Sequence, residues 1–237
     1  MVLKMKILSV ESSAASCSVA LSDNGVLIGE EFTNVKLTHS ETLMPMVKNI
    51  LDNTKTDIGT VDVFAVSNGP GSFTGLRIGA ATGKGIALAL DKKMVAVPTL
   101  AAMAYNLYGD SRYICPVMDA RRKHLYSGIY TFDGEKLVTV RDVNLASYEE
   151  LAEELVGLDG QVVLVGDGVD VAGDVLKEQL GDKCILAPAH IKTQRAGSVA
   201  LLAKQMADNG QYTDADGLKP DYLRPSQAER EKAQHES

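Results

Sequence analysis

Glycine recurs at every fourth position at Gly75, Gly79 and Gly83, with Ala87 next in the row, inside a segment that otherwise reads as one helix running to Leu90. A buried strand at 61–67 and a tight Gly69-Pro70-Gly71 turn lead into it. Each glycine in a helix costs roughly 1 kcal/mol relative to alanine, so the stripe is unfavourable by about 3 kcal/mol and something must offset it. The i±4 row is a packing ridge on an ordinary helix; here it is a trench into which another backbone can fit. Sequence alone leaves three partners open: the chain's own sheet, a second subunit or a ligand.

Around this segment the hydrophobic periodicity repeats. Strands are expected at 5–11, 16–21 and 26–32, then a helix with Leu43, Met46, Val47, Ile50 and Leu51 on one face. Ser40 is its expected N-cap, and Pro45 predicts an irregular first turn. The strand at 61–67, the glycine helix, a strand at 94–97 and a helix at 99–108 follow. A second set then begins: strands at 113–119, 125–132 and 136–143, a helix from the Ser147-x-x-Glu150 capping box to Leu155, a strand at 161–165, a helix at 169–180, a strand at 183–186 and a helix at 195–208. Both halves read βββαβαβα. The expected division is an N-terminal lobe at 1–109, a C-terminal lobe at 110–226 and a disordered tail at 227–237. Two such units imply a two-lobed α/β fold of the actin, sugar-kinase and chaperone-ATPase type, with any nucleotide held between the lobes by the turns after each first strand. Those turns begin at Glu11-Ser12 and Asp119-Ala120.

Composition narrows the function classes. The net charge of −7 means the surface as a whole is not a magnet for nucleic acid, and Arg121-Arg122-Lys123 is the densest basic cluster. Three widely spaced cysteines, Cys17, Cys115 and Cys184, argue against a disulfide framework or a cysteine zinc site. The N-terminus lacks the apolar core of a signal peptide, and no apolar run approaches the roughly 20 residues that span a bilayer. The chain reads as cytoplasmic, with no membrane partner.

Familiar catalytic motifs fail on spacing. Gly79 to Gly85 is one residue short of a P-loop and carries Gly85 where magnesium needs Ser or Thr. Gly69 to Gly75 misses the dinucleotide spacing, although its helix N-terminus could hold an anion. Ser72 imitates a nucleophile elbow without G-x-S-x-G, and nothing in the sequence brings His39 or His124 to it. The four histidines include no i, i+4 pair, so no metal site is expected. Glu11, Ser12 and Asp119 remain as a candidate nucleotide cleft, and the two acids read equally well as ordinary strand-end carboxylates.

Several stretches resemble the TsaB (YeaZ) family: Ile7-Leu-Ser-Val-Glu-Ser-Ser, Ala15-Ser-Cys-Ser-Val-Ala-Leu, His39-Ser-Glu-Thr-Leu-Met-Pro-Met and, most specifically, Gly69-Pro-Gly-Ser-Phe-Thr-Gly-Leu-Arg-Ile-Gly. Val97-Pro-Thr-Leu, Met118-Asp-Ala-Arg-Arg, Gly166-Asp-Gly and Pro220-Asp-Tyr-Leu-Arg extend the likeness. Glu11 departs from it, since the family carries Asp there. The resemblance implies a non-catalytic, activating scaffold in forming threonylcarbamoyladenosine on tRNA. It would pair with the catalytic paralogue TsaD, which holds the metal-ligand histidines missing here, together with a TsaE ATPase. In the paralogue's absence a homodimer is expected through the same face.

That face is expected on the two N-terminal helices, at His39, Glu41, Leu43, Met46, Val47, Ile50, Phe73, Gly75, Leu76, Arg77, Gly79 and Gly83, while Arg121, Arg122 and Lys123 are candidate tRNA contacts. No cofactor is implied beyond weak nucleotide binding. The competing readings are an autonomous ATP-dependent transferase or peptidase using the interlobe cleft, and a dimeric nucleotide-binding module independent of TsaD.

Overall fold

The structure is a computed structural model that describes residues 4–35 and 37–223. The tail expected at 227–237, the end of the expected second lobe, and Arg224 of the last motif lie outside the described residues. Strands β1 (Lys6–Glu11), β2 (Cys17–Asp23), β3 (Val26–Thr33), β4 (Val63–Gly69) and β5 (Lys93–Pro98) form one sheet in the order β3-β2-β1-β4-β5. Strands β6 (Tyr113–Asp119), β7 (His124–Asp133), β8 (Lys136–Ser147), β9 (Val162–Val165) and β10 (Cys184–Leu186) form the other, β10-β9-β6-β7-β8. In each, the first three strands are an antiparallel meander and the last two add in parallel beside the first.

Six helices cover these sheets: α1 (His39–Thr54), α2 (Phe73–Ala89), α3 (Thr99–Ala104), α4 (Tyr148–Val156), α5 (Val169–Leu180) and α6 (Ala196–Asp208). Leu43, Val47 and Ile50 of α1 and Ala80 and Ala87 of α2 pack on the outer face of the first sheet, against Val10, Val19 and Phe64. The helices α4 and α5 cover the outer face of the second sheet through Leu151, Leu155 and Leu176. A third core lies between the sheets, where α3 and α6 meet Ala65, Val97, Ile114 and Val165. All three cysteines are free and buried in these cores. Among the described residues no helix is long and apolar enough to cross a membrane.

The last helix departs from the expected division. By sequence α6 falls in the second half, but it docks on the first sheet. The Ala196 carbonyl accepts from Ser9 Oγ and the Ala196 N–H donates to Ser18 Oγ, both at 2.8 Å. Gly197 N–H donates to Glu30 Oε1 at 2.9 Å, and Arg195 pairs with Glu30 Oε2 at 2.7 Å. The chain then continues as a strap on the first lobe: Thr213 and Met94 exchange two backbone bonds of 2.9 Å, and Leu218 is buried beside Met94.

Helix ends also differ in detail. Ser147 and Glu150 form the expected capping box. At α1 the N-cap is Thr38, without a side-chain bond, rather than Ser40, and the turn before Pro45 is helical. His39 Nε2 donates to the Ala14 carbonyl at 2.7 Å, tying the helix start to the first hairpin. α3 ends at Ala104 and continues as a short 3-10 turn to Leu107, shorter than the expected 99–108 helix.

The glycine row faces the chain's own sheet. A Cβ on Gly75 would overlap the Ser12 carbonyl oxygen, one on Gly79 would overlap Ser12 Oγ, and one on Gly83 would lie 2.6 Å from Val66 Cγ1. Gly85, on the opposite side of α2, has open space there. Alanine at these positions therefore has opposite effects. Gly75→Ala is expected to destabilise the free chain by about 1–3 kcal/mol, whereas Gly85→Ala stabilises it by about 0.5–1 kcal/mol through helix propensity. Thermal melts that moved in the same direction for both variants would contradict this packing.

Candidate functional site

A cleft of about 900 Å3 opens between the lobes, walled by the first hairpin turn, Val35 and residues 37–40, the start of α2, the β6–β7 turn and residues 221–223. Its first wall is tightly laced. Ser72 N–H donates to the Ser13 carbonyl at 2.6 Å, and Ser12 Oγ donates to the Gly75 carbonyl at 2.9 Å. A Cβ on Gly71 would lie 2.5 Å from the Ser13 oxygen, so this approach requires glycine. The Gly69-Pro70 peptide just before it is cis.

This lacing takes up part of the donor set considered for an anion at the start of α2. Ser72 N–H goes to Ser13, Gly75 N–H to Ser72 Oγ at 3.3 Å, and Leu76 N–H to the Ser72 carbonyl at 2.8 Å. Ser72 therefore serves as N-cap. Nor does a triad assemble: His39 Nε2 is held by Ala14, and His124 Nδ1 donates to the Arg122 carbonyl at 2.8 Å.

The acids divide by environment. Glu11 ends β1 only 1% exposed; one carboxylate oxygen accepts from Ser13 N–H at 2.6 Å and the other from the Ser67 hydroxyl. Burial outweighs these bonds and pushes its pKa up. Asp167, in the cleft wall, is also pushed up by burial, and accepts from Gln194 Nε2 at 2.7 Å. Asp119 ends β6, lines the cleft and accepts from Arg121 N–H at 2.8 Å. Asp167 feels the charge of Asp119, and Glu11 that of Asp167, so the three acids form one repelling series. Of the expected cleft set Asp119 lines the cleft, while Glu11 and Ser12 are buried and do not line it; Asp167 was not singled out. Its signal was the Gly166-Asp167-Gly168 triplet, in which both glycines pack against the Val117 backbone. Among the described residues no group of three or more His, Cys, Asp or Glu is placed to hold a metal ion.

Most of the expected partner-binding set points inward. Leu43, Met46, Val47, Ile50 and Leu76 are buried, as are Gly75, Gly79 and Gly83, because these are the faces of α1 and α2 that seat on the sheet. They cannot be the docking surface. Glu41 is exposed and His39 half-buried. Phe73 and Arg77 are spent on the strap: the Arg77 guanidinium lies 3.8 Å over the Phe73 ring, its Nε donates to Tyr222 Oη at 3.2 Å, and the Phe73 and Tyr222 rings are 4.4 Å apart. The outer faces of the two helices carry Met44, 50% exposed, and Leu88, 72% exposed, with Ala81 and Gly85 between.

The basic turn has an unusual backbone. Arg121, Arg122 and Lys123 have φ of +67°, +55° and +56°, and all three are exposed. Left-handed backbone costs an L-residue roughly 1–2 kcal/mol, so the turn stores several such penalties.

Comparison with known proteins follows the same lines. The family model described as TsaD, tRNA N6-adenosine threonylcarbamoyltransferase, matches residues 33–232. The tRNA threonylcarbamoyladenosine biosynthesis protein TsaB of Bacillus subtilis is 32% identical over 228 residues, 95% of this chain and 96% of its own. Its Escherichia coli namesake is 31% identical over 227 residues, 93% and 95% of the two chains. The structure of YeaZ from Pseudomonas aeruginosa superposes with a TM-score of 0.79 at 27% identity, covering 92% of this chain and 100% of that one. Component A of (R)-2-hydroxyglutaryl-CoA dehydratase from Acidaminococcus fermentans superposes at 0.53 with 10% identity, covering 86% and 99%, and speaks to fold alone. The architecture is the two-lobed actin-like α/β fold.

Glu11 gives a pH test. Its folded-state pKa lies above the ordinary 4.5, so its stabilising contribution is full below that value and is lost as pH rises through the raised one. Glu11→Gln keeps an acceptor for Ser13 without the charge. Relative to the parent, the variant is expected to gain stability as pH rises above the ordinary carboxylate range in denaturant titrations. A stability difference that did not change over that rise would contradict a buried, destabilised carboxylate.

Proposed function

Because the chain belongs to the TsaB family of tRNA threonylcarbamoyladenosine biosynthesis proteins, we propose that it is the non-catalytic, activating subunit for that modification. It pairs with a TsaD-like catalytic paralogue and a TsaE-like ATPase in the cytoplasm, and forms a homodimer when the paralogue is absent. The observation that carries this reading is the laced first turn. In a nucleotide-using relative of this fold that turn would face phosphate, but here Ser12 and Ser13 are bonded to the Gly75 carbonyl and the Ser72 amide at the start of α2. Glu11, His39 Nε2 and Ser72 Oγ each bond the first hairpin turn or the start of α2, which suits a structural role.

The docking face belongs on the outer side of α1 and α2. Met44 and Leu88 supply exposed apolar area, and the small residues Ala81 and Gly85 let a partner helix approach closely. The autonomous-enzyme alternative draws on the size of the cleft and on the raised pKa values of Glu11 and Asp167.

The deciding experiment measures threonylcarbamoyl incorporation into tRNA by the purified paralogue and ATPase, with the activated adenylate supplied, in the presence and absence of this chain. Product is expected only when both the paralogue and this chain are present; product from this chain without the paralogue would establish the enzyme alternative. Leu88→Glu and Met44→Glu are each expected to weaken association at least about tenfold, or about 1.4 kcal/mol, with the melting temperature nearly unchanged. Undiminished association by light scattering for both variants would remove the outer face as the interface.

A further inference from the structure

Hairpin turns elsewhere in the chain provide an internal control for the basic turn. Between β2 and β3 the positive-φ residues are Asn24 and Gly25, and between β7 and β8 it is Gly134. Those are the residues that a left-handed backbone selects, because they occupy it with little steric conflict. Between β6 and β7 the same region of conformational space is filled by Arg121, Arg122 and Lys123 in succession. Among the described residues the other non-glycine cases are single positions, Asn24, Lys55 and Asp91. Glycine or asparagine would hold this backbone with less strain, so closing the turn does not account for the side chains. Strain retained at a cleft mouth directs attention to what the side chains do.

Their commitments differ. Arg121 donates its backbone N–H to Asp119 Oδ1 at 2.8 Å and pairs through its guanidinium with Asp119 Oδ2 at 3.4 Å. Arg122 and Lys123 are exposed, and among the described residues neither has a carboxylate within ion-pair distance. The Arg122 carbonyl accepts from His124 Nδ1, which braces the turn from behind. The same cleft wall also carries Asp119, Asp167 and Asp221. A phosphate inside the cleft therefore meets three carboxylates, whereas one lying across the exposed turn meets Arg122 and Lys123. That arrangement disfavours a mononucleotide seated between the lobes. It favours a polyanion that passes across the mouth, touching two adjacent cations.

We propose that Arg122 and Lys123 hold the phosphodiester backbone of the substrate tRNA at the cleft rim. The inference rests on the tRNA-modification reading above and deepens it: besides activating the paralogue, the chain contributes a direct RNA contact. Because the net charge is −7, the contact is local and adds to whatever grip the paralogue has.

The test uses the full chain reconstituted with the paralogue and ATPase, and unmodified tRNA as the varied substrate. For the double variant Arg122→Gly/Lys123→Gly, the KM for tRNA is expected to rise about tenfold while kcat stays within about twofold. The slope of log affinity against log salt, read by anisotropy of labelled tRNA, is expected to shrink by roughly 2. Relief of the left-handed strain should leave the melting temperature equal or higher, so poor folding does not mask the result. Arg122→Lys keeps the charge and should behave as the parent. An unchanged KM and salt slope with intact activation would overturn the RNA contact and leave the proposed function standing. If the parent chain itself fails to activate the paralogue, the proposed function falls instead. Loss of association with the paralogue in the double variant would assign the turn to protein docking and overturn the inference. Complete displacement of tRNA by an equal concentration of free ATP would do so as well, by marking a mononucleotide site.

Discussion

Ser12 and Ser13 lie against the start of α2 so closely that a single methyl group on Gly71, Gly75 or Gly79 has no room, and the two segments are stitched by hydrogen bonds on either side of that contact. Much else follows from this approach. It sets the tilt of α2 on the sheet, so the glycine row lies inside and Ala81, Gly85 and Leu88 outside. It brings Ser67 and Ser13 around Glu11 and closes that acid off from solvent. The conformational cost of the helical glycines is offset by backbone contacts that a side chain would prevent.

Two features of the cleft then become intelligible together. Asp167 in its wall and Glu11 at the end of β1 are buried and bonded, and Asp119 is paired with the neighbouring turn. A carboxylate used as a metal ligand or general base needs a free lone pair aimed at substrate. Here Ser13 and Ser67 each bond one oxygen of Glu11, and Gln194 bonds Oδ1 of Asp167. The raised pKa values arise mainly from burial, and such shifts occur in structural carboxylates as well as catalytic ones. Geometry weighs more than the shift, and the geometry is that of a packed joint between elements.

Much of the fold was legible because periodicity and turn residues mark elements locally: the order of strands and helices in both halves, and the Ser147 capping box, follow from spacing alone. What spacing does not carry is the address of a face. The apolar side of α6 announces that it packs, but only the bonds of Ala196 to Ser9 and Ser18 reveal that it does so on the first sheet. The glycine row announces close approach without naming the partner, and the inward faces of α1 and α2 were for that reason read as an interface. Leu43, Met46, Val47 and Ile50 form a regular apolar stripe, and such a stripe is the signature of an intramolecular core as much as of a docking surface. Asp167 was missed because a lone acid between glycines looks like a turn. The backbone of Arg121 to Lys123 was invisible because cationic residues give no hint of positive φ.

The two halves share one topology, so their first hairpin turns occupy corresponding places in the walls of the cleft, and the contrast between those turns is the structure's main asymmetry. In the first half the turn is neutral, rich in serine and packed against glycines. In the second it is cationic, exposed and held in a backbone that its residues resist. A fold that gripped a nucleotide symmetrically would need both turns to turn their amides and side chains inward. Here one turn has been spent on internal packing, which fixes α2 and with it the outer helical face. The other exposes Arg122 and Lys123 at the surface. Under the function proposed above, the first turn supports the protein-docking face through α2, and the second carries the RNA contact.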